Sequence, residues 1–174
     1  ADCPDGDLYE LAPGVALKVN LLPAAGDVDM GQVNGLAFPD QPAAAIFEIP
    51  VRANTGGLFL GGVDLEISYD PAVIVPLDAE VGGALPGAIF NANLATPGVI
   101  YLNASPSLEA PVSGGGVEVV VLTFEALKSN GPQITHIGGN VVGLVDTGGA
   151  GIGAATPRPI VAGTGQFDPP PGGI

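Results

Sequence analysis

The sequence predicts an all-β fold, a two-sheet β-sandwich, and three observations carry that reading. Apolar and polar residues alternate in short stretches, most plainly from Gly62 to Tyr69, which is the period of a strand with one buried face. Glycine and proline number 28 and 18 of 174 residues, and they recur too often for long helices to form. Hydrophobic residues make up 47% of the chain, a supply that a disordered Gly/Pro-rich chain lacks. Many short antiparallel strands bury their apolar faces only against a second sheet.

Residues 1–14 carry Asp2, Asp5, Asp7 and Glu10 and read as an irregular lead-in. The single domain then runs from 15 to 167. Val15, Leu17, Val19 and Leu21 alternate with less apolar partners, a first strand. Residues 22–42 hold three prolines and three glycines and read as an inserted long loop. Ala45 to Arg52 is the next strand, closed by the turn residues Asn54-Thr55-Gly56-Gly57. In Gly62–Tyr69, the residues Val63, Leu65, Ile67 and Tyr69 face the core, while Asp64, Glu66 and Ser68 face water. Asp70-Pro71 ends that strand, because proline donates nothing to a ladder. Val73 to Val75 follows as a short strand.

Ile89 to Leu94 places Phe90, Ala92 and Leu94 inward, with Asn91 and Asn93 outward. After Thr96-Pro97-Gly98, Ile100 and Leu102 point in, and Tyr101 and Asn103 point out. Residues 114–116 are a triple glycine that leads into the strand Val117–Leu127. Ile134 to Val145 is a further strand region, interrupted by glycines. A glycine-rich turn spans 146–156. A last strand starts at Pro159 and ends by Phe167, and the Pro/Gly-rich 168–174 reads as a linker. The total is about nine strands.

Charge narrows the function. Eighteen acidic residues stand against four basic ones, a net charge of −14, which repels nucleic-acid phosphates and anionic membranes. No apolar run is long enough to span a bilayer as a helix. The single cysteine, Cys3, has no partner within the chain for a disulfide and reads as a free thiol. The one histidine, His136, lies in an apolar strand and reads as structural. No Gly-x-Ser-x-Gly turn, zinc-ligand spacing or phosphate loop is present, so an enzyme is not expected and neither is a cofactor. Asp64 and Glu66 share one strand face, about 7 Å apart. That separation suits either a solvated face or, given a cleft with sugar-stacking aromatics, a glycosidase pair. Asp27-Val28-Asp29-Met30-Gly31 resembles the start of a calcium loop without its closing Glu, and its alternative reading is an acidic turn.

Strand 117–127 carries apolar residues on both of its faces. Its bulkier alternate set, Val120, Leu122, Phe124 and Ala126, is assigned inward. Val117, Val119, Val121 and Thr123 are thereby left on the outer face as an apolar interaction patch.

Several of these segments, in this order, resemble a cohesin module. They are the strand Ile46–Arg52, the Gly-led strand ending in Tyr69-Asp70-Pro71-Ala72-Val73-Ile74, the Asn-bearing strand Phe90-Asn91-Ala92-Asn93, Gly98-Val99-Ile100, and Gly114 to Phe124. The likeness covers roughly residues 43–165 together with 15–21. It implies a nine-stranded jelly-roll sandwich on an extracellular or cell-surface scaffolding protein, as in a cellulosome. It further implies a calcium-loaded dockerin as partner, a monomeric module, and one sheet serving as the docking face. On the assigned phases, Asp64, Glu66, Ser68, Asn91, Asn93, Tyr101, Asn103, Val119, Val121 and Thr123 would share that face. The other reading of the same features is an extracellular structural or adhesive domain, with carbohydrate binding a weaker third in a chain with no tryptophan.

Overall fold

The computed structural model describes residues 22, 24–31, 41–128 and 137–160. Among them lie nine strands and no helix: β1 Val28–Met30, β2 Ile46–Ala53, β3 Leu60–Ser68, β4 Ile74–Val81, β5 Ile89–Asn93, β6 Val99–Ser105, β7 Val117–Ala126, β8 Gly138–Asp146 and β9 Arg158–Pro159. They form two antiparallel sheets, one in the order β1-β2-β7-β4 and the other β5-β6-β3-β8-β9. The sandwich expected from the alternation is therefore present. The expected strand at 15–21, the thiol of Cys3, His136 and the 168–174 linker lie outside the described residues.

Alternation places the core where the sequence phases it. Leu65, Ile67, Tyr69, Ile100, Leu102, Leu122 and Phe124 are all buried between the sheets. Phe124 is central: its ring stacks on Phe47 at a centroid distance of 5.9 Å and meets Tyr69 edge-on at 5.7 Å. Both aromatic geometries are favourable for ring quadrupoles.

Two expectations are corrected. The 22–42 segment is not loop throughout, because Val28–Met30 pairs with Val51–Ala53 of β2. Val28 and Met30 fill core positions. Asp29 between them is only 1% exposed, and both its carboxylate oxygens accept from Arg52, Oδ1 from Nε at 3.1 Å and Oδ2 from Nη2 at 2.6 Å. Arg52 Nη2 also donates to the Gly31 carbonyl. The acidic motif thus forms a buried, bidentate ion pair, and the Asp29 carboxylate is fully engaged by a guanidinium.

The second correction concerns β7. Val119 is 0% exposed and Val117 is buried, so neither lies on the outer face. The reason is a β-bulge. Val51 of β2 pairs with Val120, but the next residue, Arg52, pairs with Glu118. Val119 is the extra residue, and at a bulge two consecutive side chains can point the same way. Val119 and Val120 both enter the core, and the strand alternates in opposite phase on either side of them. Similar insertions put Leu77 outside register in β4 and Val142 outside register in β8, and both side chains are exposed. The β4 strand accordingly runs well past the expected Val73–Val75.

At one end of the sandwich, Arg158 binds backbone. Its guanidinium donates to the carbonyls of Gly26, Ile152 and Ala154, tying the segment before β1 to the β8–β9 connection.

Candidate interaction face

The outer face of the five-stranded sheet collects most of the residues singled out from sequence. The register of the ladders sets them in rows. One row runs Asn93, Tyr101, Glu66, Asn140, Pro159 across all five strands, and the next runs Asn91, Asn103, Asp64, Gly143. Strands lie about 4.8 Å apart, so four strands of such a row span about 14 Å, close to the width of one helix with its side chains.

The chemistry of the face follows from its side chains. Asn91, Asn93, Asn103, Asp64 and Ser68 are exposed, and Glu66 is half-buried. Asn140 Nδ2 donates to Glu66 Oε1 at 3.4 Å, which anchors that carboxylate. A Cβ at position 143 would lie 2.9 Å from Asp64 Oδ2, so glycine there leaves the space that the Asp64 carboxylate occupies. Tyr101, 47% exposed, supplies an aromatic surface among these amides and carboxylates. The face therefore offers hydrogen-bond acceptors and donors, two negative charges and one large ring. Among the described residues no group of three metal-ligating side chains forms.

The other proposed site residues do not join this face. Val121 and Thr123 belong to β7, in the opposite sheet. They are half-buried on its outer surface, in line with Pro50 and Glu80 and with Glu48 and Asp78. Val119 is core. The ten residues thus divide into seven on one surface, two on the opposite surface, and one inside. Alternation gives the phase of a strand but not its sheet, and strand order settles which phases coincide.

Sequence reasoning missed further contributors to the face, among them Ile89, Ser105, Asn140 and Val142. Ser105 continues the phase of Tyr101 and Asn103 and was legible from it. Val142 is the extra residue of the bulge in β8 and Asn140 lies two residues before it, where no single alternation holds. The β8 backbone also carries Gly139, whose φ is +153°, and a Cβ there would run into the Glu66 carbonyl.

No known family's sequence profile matches this chain, and no curated protein matches it in sequence. Solved structures do match in shape. A type I cohesin of Clostridium thermocellum, OlpA, solved as a cohesin–dockerin complex, superposes with a TM-score of 0.57 at 14% identity, covering 78% of this chain and 93% of that one. The sixth cohesin of Acetivibrio cellulolyticus scaffoldin B, solved with a Cel5 dockerin, gives 0.55 at 14% identity, over 77% and 96%. A non-cellulosomal cohesin from the archaeon Archaeoglobus fulgidus gives 0.50 at 14%, over 75% and 86%. The chain has a cohesin-like fold.

Proposed function

We propose that this chain is a non-catalytic interaction module that docks a dockerin-type partner, a small calcium-loaded helical module, on the outer face of the β5-β6-β3-β8-β9 sheet. The observation that carries the reading is the fold itself, shared with cohesins that were solved bound to dockerins. The face supports it. An exposed ring ringed by amides and carboxylates has the make-up of a protein interface, in which apolar centres carry energy and polar rims exclude water and fix register. Asp64 and Glu66 favour a partner bearing Lys or Arg and raise the association rate more than the final affinity. Such a module acts on an extracellular or cell-surface scaffold.

The test is calorimetric titration against a panel of calcium-loaded dockerins. Tyr101→Ala together with Asp64→Lys is expected to weaken binding at least about thirtyfold, the size of one interface hot spot. Val121→Asp, on the opposite sheet, is expected to leave affinity unchanged. If no dockerin binds, an extracellular structural or adhesive role takes precedence. If Val121→Asp abolishes binding and the Tyr101/Asp64 variant does not, the docking face is the four-stranded sheet.

A further inference from the structure

The sandwich has four described sheet edges, and three of them are guarded. A strand edge presents unpaired N–H and C=O groups to any passing chain, and natural sheets blunt it with short strands, proline, charge, bulges or cover. β1 is three residues long and wholly buried, and β9 is two residues long and contains Pro159. β4 carries Pro76, the bulge at Leu77, and the charges of Asp78 and Glu80. Among the described residues β5 has none of these. Its sequence, Ile89-Phe90-Asn91-Ala92-Asn93, holds no charge and no proline. Its five-residue register with β6 is unbroken, and no second neighbour pairs with it among the described residues. Ile89 is 78% exposed.

We propose that the free edge of β5 is a second binding site, separate from the docking face, which takes an extended segment of another polypeptide as a sixth antiparallel or parallel strand. The chemistry of that segment follows from the two sides of β5. Phe90 and Ala92 point inward but are only half-buried, so alternate apolar side chains on an added strand would complete their cover. On the outer side, Asn91 and Asn93 are followed two strands further in by Asp64 and Glu66. A strand added outside β5 would lie three strand spacings, about 14 Å, from those carboxylates, and the flexible arm of a Lys or Arg reaching back over Asn91 and Asn93 shortens that separation toward one Debye length at physiological salt. The favoured occupant therefore alternates basic and apolar residues. A second copy of this chain is disfavoured, because each copy brings a net charge of −14 and like-charged chains repel.

The probe is the capped peptide Lys-Val-Lys-Val-Lys-Val-Lys, with hydrogen exchange of the full chain followed by NMR. At saturating peptide, those β5 amides that do not bond to β6 should exchange roughly tenfold more slowly, as newly hydrogen-bonded groups do. The same peptide with proline at its central valine should give no protection, since proline cannot extend a ladder. A glutamate-for-lysine peptide should bind more weakly, and Asn91→Lys, with folding verified by circular dichroism, should weaken the lysine peptide. Three results overturn the proposal. The first is the absence of any response in β5. The second is shift changes confined to Asp64, Tyr101 and Asn103 without protection of β5, which would place the peptide on the face. The third is protection that appears with protein concentration alone, which would make the occupant a second copy. Each leaves the dockerin titration unaffected as a separate question.

Discussion

Val119 and Val121 are two residues apart on β7, and simple alternation gives them the same environment. The bulge separates them: Val119 is fully buried between the sheets, and Val121 lies half-buried on the outer surface. Valine to threonine keeps the shape and replaces one methyl by a hydroxyl, so it isolates polarity from packing. A buried hydroxyl without a partner costs about 1–3 kcal/mol on protein mutational scales. Val119 belongs to the apolar core cluster that also holds Val51, Val120 and Leu122, which points to the upper half of that range. The backbone carbonyl of Val119 is already engaged by the Gly82 N–H. At position 121 the hydroxyl remains in reach of water, and the change should fall within about 0.5 kcal/mol. Urea unfolding followed by far-ultraviolet circular dichroism reads the difference. With an m-value of about 1–3 kcal/mol/M, Val119→Thr should lower the midpoint by about 1 M and Val121→Thr by a small fraction of that. The m-value should be unchanged in both. Equal losses at the two positions would mean that β7 has no phase change and that the bulge is misplaced. A larger loss at 121 would reverse the facing of the whole strand.

Two further outcomes test the core and its edge. Phe124→Ala removes a fully buried ring together with its contacts to Phe47 and Tyr69, and should cost about 3–5 kcal/mol in the same urea assay; a loss below about 1 kcal/mol would contradict its central position. Asp29→Ala leaves the Arg52 guanidinium buried without its carboxylate and should cost about 3–5 kcal/mol, whereas the double replacement Asp29→Leu with Arg52→Met should recover most of that loss. A mild effect of the single change would show that the pair is open to water and that β1 is held by its apolar residues alone.

Most of the sandwich was legible because strand alternation is a local property. The clean run from Val63 to Tyr69 assigned four inward and three outward side chains correctly, and β5 and β6 followed the same rule. Turn chemistry was equally local: Asp70-Pro71 and Thr96-Pro97-Gly98 end strands for reasons internal to those residues. β7 was different. Its polar residues fall in two alternation phases, Glu118 in one and Thr123 and Glu125 in the other, so no single phase fits the strand, and the choice by side-chain bulk succeeded from Val120 onward and failed before it. The buried Asp29 was also unreadable, since an acid between two apolar residues looks like a solvated edge until its partner is known.

What the sequence by itself determined was the fold class, the strand phases wherever polar and apolar residues alternate, and the acidic character of the chain. These depend on side-chain chemistry and on spacings of two residues, which no distant contact alters. Only the tertiary structure decided which strands share a sheet, where an extra residue reverses a phase, and which charges are paired across β1 and β2. Strand order joins residues far apart in the chain. A bulge is defined by a mismatch between two strands, and neither strand alone contains it. For the same reason the expected ten-residue surface divided between two opposite faces, while the row from Asn93 through Tyr101 and Glu66 to Asn140 emerged once four strands were laid side by side.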